Sequence, residues 1–181
     1  MIFLLSSLTA GLLTDCWLYR RFQSVQYPCT ALFTLISCLI LVNTFHDPFL
    51  ILKGFLFTQS LIIVGYFDAK SHIIPDWTLI PLAASGLIGF QPARSIAGIF
   101  SVSVLFFLVA WLTHGEGLGG GDVKLVAATG FVLGPAANMA GILIGIFLFL
   151  IAFFLIFHKK KMYAMAPWLG TGCFLAYILF N

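Results

Sequence analysis

Long apolar runs separated by short polar breaks make up almost the whole chain. Eight such runs are visible, at residues 2–19, 27–45, 49–67, 76–91, 95–113, 123–135, 138–157 and 163–180. A helix that crosses a bilayer needs about 17 to 25 predominantly apolar residues, and most of these runs are that long. The pattern predicts an all-α protein, a polytopic helical membrane protein with about eight transmembrane segments.

The sixth run is the exception, because it is short and only Pro135 and its neighbours separate it from the seventh. Residues 123–157 are therefore either one kinked helix or two segments with a tight reversal between them. Two segments leave only Lys53 and Arg94 on one face and gather the other seven cations on the opposite face; these are Arg20, Arg21, Lys70, Lys124, Lys159, Lys160 and Lys161. If residues 123–157 form a single helix instead, the nine cations are divided four against five between the two faces. The positive-inside rule favours eight segments, with both termini outside and the seven cations in the cytoplasm.

The composition supports a membrane location and excludes several other classes. Hydrophobic residues make up 61% of the chain and charged residues 8%, against about 25% charged in a typical globular protein. The net charge of +3 follows from the loops of such a topology, so we expect the lipid bilayer and no nucleic acid as a partner. The four cysteines form no CxxC pair, and neither a zinc site nor a disulfide framework is indicated.

Two of the polar breaks carry the acids of greatest interest. The predicted topology places "DAKSHIIPDW" and "GEGLGGGDVK" on the same, cytoplasmic face, each at a helix end. Asp68 and Asp122 can therefore meet although they lie far apart in sequence. A carboxylate in or against a bilayer is energetically costly, so the presence of each one calls for a structural or functional explanation.

Each acid also has a purely structural interpretation. Asp122 precedes an apolar run and is placed to be a helix N-cap, but an N-cap does not explain the three glycines before it. Gly119, Gly120 and Gly121 have no side chains and would let a peptide approach the carboxylate closely. Asp68 can be an interfacial acid balanced by Lys70. Asp76 follows Pro75 and is placed to be the N-cap of the next helix.

A pair of carboxylates at a water-accessible pocket can perform aspartyl protease chemistry. One activates water while the other, protonated, polarises the scissile carbonyl, and like-charge proximity lets the two share a proton. The helix dipoles favour the proton on Asp68, near a helix C-terminus, and the charge on Asp122, near an N-terminus. His72 and His114 flank the same acids and suggest a metal site as the rival, but no H-E-x-x-H pattern is present. We predict no metal and no cofactor.

The motifs around these acids resemble the type IV prepilin peptidases, membrane aspartyl proteases with a G-x-G-D signature. "GGGDVKLVAATGFVLG" is similar to that signature, and "FDAKSHIIPDWTLIPLAASGL" to the family's other acidic segment. "MAPWLGTGCFLAY" resembles a stretch near the family's end, with Ala166 where glycine is common. The resemblance covers about residues 50–181.

The resemblance implies that Asp68 and Asp122 are the catalytic pair, with no cofactor. It implies cleavage of a short basic leader from a prepilin or pseudopilin at the cytoplasmic face of a prokaryotic inner membrane. Supporting or leader-contacting roles are expected for Lys124, Pro75, Asp76 and Glu116. Residues 1–48 are expected to form an N-terminal transmembrane hairpin and residues 49–181 the peptidase domain. Because the first cytoplasmic loop is short and lacks the paired CxxC motifs of bifunctional members, no methyltransferase activity is expected.

Two rival functions stay open from the sequence. Presenilin-like proteases also pair two aspartates with a GxGD motif, but they are longer and place both acids deep within helices. A small proton-coupled transporter would use the same two carboxylates as carriers, yet no convincing inverted hydropathy repeat is visible.

Overall fold

A computed structural model describes residues 2–22, 29–114, 118–156 and 163–181, and within them eight α-helices. Their bounds are α1 (Ile2–Phe22), α2 (Cys29–Thr44), α3 (Pro48–Ser71), α4 (Asp76–Ser85), α5 (Pro92–Leu112), α6 (Gly120–Leu133), α7 (Pro135–Ile156) and α8 (Ala166–Phe180). The prediction of an all-α fold with eight helices is confirmed. Since α3, α5 and α7 are long and apolar enough to cross a membrane, the prediction of a polytopic helical membrane protein is confirmed as well.

The fourth helix is shorter than its apolar run predicted. It ends at Ser85 rather than at residue 91, because Gly86 begins a turn in which Gly89 has a φ of +69°. Ten residues of helix are about 15 Å long, roughly half the thickness of a bilayer's hydrocarbon core. The number of segments that cross the membrane and the side on which the termini lie therefore stay predictions.

The structure resolves the alternatives for residues 123–157 in favour of two helices. Gly134 separates α6 from α7 with a φ of +79°, a conformation that favours glycine. The Asn138 Nδ2 donates to the Val126 carbonyl at 3.3 Å, whereas residues twelve apart in one continuous helix would lie about 18 Å apart. The chain therefore folds back at Gly134, as the loop charges predicted.

An antiparallel contact between α3 and α8 runs from one end of the molecule to the other. Tyr177 donates its hydroxyl to the Leu50 carbonyl at 2.7 Å near the start of α3. Near the end of α3, a Cβ built on Gly65 would lie 3.2 Å from the Pro167 Cα. Glycine allows this approach, which brings the N-terminus of α8 against the last turn of α3.

The first two helices are joined through a buried carboxylate. Asp15 in α1 accepts hydrogen bonds from the backbone N–H groups of Thr30 at 3.2 Å and Ala31 at 3.1 Å. These donors belong to the first turn of α2, where backbone N–H groups lack partners within the helix. Asp15 therefore caps its neighbour across the hairpin. The division into residues 1–48 and 49–181 stays a prediction, since α2 also packs against α3.

Helices α5 and α6 cross in direct backbone contact. A Cβ built on Gly98 would lie 2.0 Å from the Gly130 carbonyl oxygen and 2.8 Å from the Gly134 Cα. These neighbours are backbone atoms, which cannot swing aside as a side chain does. The crossing therefore depends on glycine at position 98.

We predict that Gly98→Ala destabilises the protein, because the added methyl group must force α5 and α6 apart. Overpacking of this kind costs about 1–3 kcal/mol. Thermal unfolding in detergent should show a clearly lowered midpoint. Ala97→Leu is the matched control, since Ala97 is exposed beside Gly98 on the same helix and should change the midpoint little. Equal midpoints for Gly98→Ala and wild type would contradict the assigned crossing.

Candidate active site

Asp68 lies in the last turn of α3 and is only 7% exposed. The helix ends just beyond it, because His72 adopts a left-handed conformation (φ +52°) and its N–H bonds back to the Asp68 carbonyl at 2.9 Å. The Asp68 Oδ2 accepts a hydrogen bond from the backbone N–H of Ala166 at 2.8 Å. Since Ala166 is the first residue of α8, this donor has no partner within its own helix, and it stabilises negative charge on Asp68.

Aromatic rings cover the side of α3 next to Asp68. Phe67 packs against Trp17 and Phe22 of α1, with ring centroids 5.9 and 5.0 Å apart. It also meets Trp77 of α4 edge to face at 5.4 Å. These rings tie three helices together at this end of the molecule.

Asp122 lies in the first turn of α6, three residues after the N-cap position, which Gly119 occupies. The interpretation of Asp122 as the N-cap is therefore wrong. Its carboxylate instead interacts with the N–H of Gly119, as the acid of a capping box does. The Asp122 Oδ1 is buried and has no hydrogen-bond partner among the described residues, so it is free to bind a proton or water.

The two aspartates are close enough to influence each other's titration. Burial, followed by the charge of Asp68, raises the pKa of Asp122 from an ordinary 3.8 to about 6, although the Gly119 N–H opposes the shift. The fold thus brings together the two acids that the sequence pairs. A raised pKa next to a second carboxylate is the electrostatic condition for a shared proton.

The hydrogen bonds assign the shared proton differently from the helix dipoles. The dipoles favour the proton on Asp68, at a helix C-terminus, and the hydrogen bonds favour it on Asp122. Asp68 receives a backbone donor from α8, whereas one oxygen of Asp122 has no donor. A direct hydrogen bond to an ionised oxygen outweighs a diffuse dipole. On this argument we expect the charge on Asp68 and the proton on Asp122.

The three glycines before Asp122 have different surroundings. A Cβ built on Gly120 would touch nothing within 4 Å, while one on Gly121 would lie 3.1 Å from the Ile74 side chain. Gly119 and Gly120 are exposed. Gly120 thus leaves open space at the start of α6, while Gly121 lets Ile74, between α3 and α4, pack close to the site.

The supporting residues form an ion pair beside the aspartates. The Lys124 Nζ donates to both carboxylate oxygens of Asp76, at 2.7 and 2.9 Å. Pro75, and not Asp76, occupies the N-cap position of α4, and the Asp76 side chain makes no capping bond, so the prediction of Asp76 as the N-cap is wrong. The pair links α4 to α6, and because both side chains are more than half exposed it contributes less than about 1 kcal/mol. Glu116 lies outside the described residues.

The rival metal site has no geometric support in the described part of the chain. There, no three side chains of His, Cys, Asp or Glu are grouped as metal ligands would be. His72 and His114 are both exposed and both have a positive φ, at 52° and 51°. They lie at helix ends, where each terminates its helix in a left-handed conformation.

Sequence reasoning missed two features of the site. One is the Ala166 N–H, since a backbone donor leaves no mark in side-chain chemistry. The other is an apolar groove of about 330 Å³ between α2, α3 and α8, which Gly65, Ala69 and Pro167 line next to Asp68. Residues of three separate runs form this groove, and no single run reveals it.

Comparison with known proteins identifies the family. Residues 55–158, more than half of the chain, match the model of the type IV leader peptidase family. The chain belongs to this family. The matched range contains both Asp68 and Asp122.

Several curated relatives carry the name prepilin leader peptidase/N-methyltransferase. The protein of Bacillus subtilis (strain 168) is 36% identical over 86% of this chain and 66% of its own length. That of Aeromonas salmonicida (strain A449) is 28% identical over 91% of this chain and 64% of its own length. That of Neisseria gonorrhoeae is 33% identical over 63% of this chain and 43% of its own length. This chain thus aligns with about two fifths to two thirds of the length of these relatives. No solved structure matches it.

We predict a specific pH dependence of stability from the raised pKa of Asp122. Because folding raises this pKa from 3.8 to about 6, the folded state binds the proton more tightly than the unfolded state does between these values. Stability should therefore fall as the pH rises from about 4 to about 6 and level off above that. Chemical unfolding in detergent at several pH values measures this.

Asp122→Asn is the variant that isolates this contribution. The difference in unfolding free energy between wild type and Asp122→Asn should change with pH only within that window. In an Asp68→Asn background the upper end of the window should move down, since the charge of Asp68 is gone, but it should not disappear, because burial remains the larger cause. A difference that is independent of pH would contradict the assigned pKa.

Proposed function

We propose that this chain is a membrane aspartyl endopeptidase that removes the leader from prepilin or pseudopilin-like substrates. The observation that carries the proposal is the pairing of Asp68 with Asp122, in which the charge of one helps to raise the pKa of the other to about 6. Both residues lie within the range that matches the type IV leader peptidase family, and the names of the relatives supply the substrate class.

The hydrogen bonds support a different role for each aspartate. Asp68, charged and held by the Ala166 N–H, takes a proton from a water molecule as that water attacks the scissile carbonyl carbon. Asp122, protonated, donates its proton to the carbonyl oxygen as the tetrahedral intermediate forms. The proton now on Asp68 then passes to the leaving nitrogen, while Asp122 recovers its own as the carbonyl reforms and the C–N bond breaks. The products are a carboxylic acid and an amine, and the pair is restored with one proton.

The groove beside Asp68 is suited to the apolar part of such a substrate. It is bounded by three helices with an almost entirely apolar lining, and at one end it reaches Ala69 and Pro167, the sequence neighbours of Asp68 and Ala166. A substrate helix in the groove would present its N-terminal end to the two aspartates. This is the end to which the leader is joined. The glycines at the start of α6 leave room for the peptide on the other side.

The orientation of the site follows from the charge rule and belongs to this proposal. Asp68 and Asp122 lie at the helix ends that carry Lys70 and Lys124, and the positive-inside rule places such ends in the cytoplasm. A multi-pass protein of a prokaryotic inner membrane with its active site on the cytoplasmic face is the consequence.

Only the peptidase half of the relatives' name is proposed for this chain. Its four cysteines contain no CxxC pair, and six residues separate α1 from α2, all of them outside the described residues. A transporter that uses the same carboxylates is not favoured, because the family match and the relatives' names both point to peptidases.

We predict that the purified protein cleaves a prepilin-type substrate and that Asp68→Asn and Asp122→Asn each abolish cleavage. Each variant removes a group that must gain and lose a proton in the reaction, and such losses reach about 10²–10⁴-fold. Mass spectrometry of the substrate identifies the bond cleaved and the fraction converted.

Asp76→Asn is the matched control, because it removes an acid at the same end of the molecule whose carboxylate only pairs with Lys124. It should retain most of the activity, and a chelator should not affect the wild type. Activity that survives Asp68→Asn but not Asp76→Asn would transfer the first catalytic role to Asp76. Failure of the folded wild type to cleave several pilin classes would refute the proposal.

We predict that filling the groove weakens substrate binding more than it slows chemistry. Thr171→Trp places a large ring into the groove from an exposed position on α8 without touching either aspartate, so KM should rise several-fold while kcat changes little. Leu143→Trp is the control, because Leu143 is exposed on α7 and does not line the groove. Equal kinetics for the two variants would show that the substrate does not occupy the groove.

A further inference from the structure

A second cavity lies at the end of the molecule opposite the aspartates. Its volume is about 300 Å³, and its lining comes from the first turns of α3 and α5, the turn after α4 and the end of α6. Lys53, which lines it, precedes Asp68 by fifteen residues of α3, or about 22 Å of helix. The cavity is therefore separate from the peptidase site.

Two cations face this cavity. Lys53 is 9% exposed, and no carboxylate of the described residues lies within the 4.0 Å that defines an ion pair with its ammonium group. The Lys53 ammonium group also donates no hydrogen bond to any of the described residues. The Lys53 stem is buried while the ammonium group lines the cavity without a counterion, and an anion bound in the cavity would supply one.

Arg94 is the second cation, and contacts with α6 hold its guanidinium group in position. Its Nη2 donates to the Leu133 carbonyl at the C-terminus of α6, at 3.1 Å, and its side chain packs directly against Gly134. A guanidinium group has five N–H donors, so most remain for a ligand. Arg94 is also near enough for its charge to repel that of Lys53, and an anion between the two would relieve this repulsion.

The remaining polar groups of the cavity also favour an anion. The N-termini of α3 and α5 both line it, at Phe49 and Gln91, and the positive ends of their helix dipoles favour negative charge. Asp47 is the one acid side chain in the lining, and its Oδ1 accepts the Phe49 N–H at 3.0 Å. Among the side chains of the lining, one carboxylate thus stands against two cations.

The rim of the cavity is apolar and exposed. Phe49 is 70% exposed, Leu87 63% and Phe90 44%, and all three lie in or next to lining segments. A free anion gains nothing from such a rim, whereas the acyl chains of a lipid would cover it. The cavity also lies at helix ends, the level at which lipid headgroups are found.

We propose that the cavity between Lys53 and Arg94 binds a phosphate group, supplied by the headgroup of an anionic phospholipid in the leaflet opposite the aspartates. Lys53 contributes a point charge and Arg94 a planar donor fork, two modes of phosphate recognition. The bound lipid stabilises the ends of α3, α5 and α6 against one another. This site does not depend on the proposed peptidase activity.

The test compares unfolding midpoints of wild type and Lys53→Met in neutral detergent, with three additions measured separately. These are phosphatidylglycerol, phosphatidylcholine and inorganic phosphate. For wild type, phosphatidylglycerol should raise the midpoint by at least about 3 °C more than phosphatidylcholine does. This is the shift expected for a ligand whose concentration is well above its Kd. In Lys53→Met this excess should vanish. Native mass spectrometry should show one phosphatidylglycerol retained by wild type and none by the variant.

The variants separate loss of binding from loss of fold. Without lipid, Lys53→Met should be at least as stable as wild type, because methionine retains the buried apolar stem and removes the charge that Arg94 repels. Arg94→Gln should weaken the lipid effect, and Lys70→Gln, at the other end of α3, should preserve it. A Lys53-dependent shift with inorganic phosphate alone would support the site with free phosphate as its ligand. Equal phosphatidylglycerol effects in wild type and Lys53→Met, or equal effects of both lipids on wild type, would overturn the proposal.

Discussion

The close approach of α8 to α3 is the contact on which the proposed chemistry depends. It requires small residues along the way: Gly65 meets Pro167, and Gly54 lies so near Tyr177 that an added Cβ would be 2.7 Å from the ring. Only this approach delivers the unpaired N–H of Ala166 to the Asp68 carboxylate. Burial, and after it the charge of Asp68, raises the pKa of Asp122, so the packing of two helices contributes to the electrostatics of the pair of acids.

The two ends of the helical bundle differ in their chemistry for a related reason. Backbone groups at helix ends lack partners, and in an apolar protein each must find a charged or polar one. Asp15 serves the start of α2, Asp47 the start of α3, and Arg94 the end of α6. Of the acids in the described residues, Asp122 keeps an oxygen that is buried without such a partner. At the opposite end of the bundle, Lys53 is a largely buried residue whose ammonium group likewise has no partner among the described residues.

The fold was largely predictable because a bilayer restricts a chain to apolar helices, and the periodic breaks at prolines and glycines show where these end. The pairing of Asp68 with Asp122 was predictable because loop charge places both on one face. The length of α4 was not, since an apolar run continues through the turn at Gly86. The N-cap positions predicted at Asp76 and Asp122 were wrong by one and three residues, because in a sequence any acid near a helix start resembles an N-cap. The hydrogen bond to Asp68 was not predictable either, because its donor, the Ala166 N–H, lies 98 residues away in the sequence.

The account's central claim is that Asp68 and Asp122 act as one unit. The most direct measurement is the single-turnover rate of prepilin cleavage by wild type, Asp68→Asn, Asp122→Asn and the double variant. If the two share one proton in one reaction, either single substitution should lower the rate about as far as both together, since residues that act as a unit are strongly non-additive. Rate losses that multiply in the double variant, or one single variant with near wild-type activity, would contradict the account.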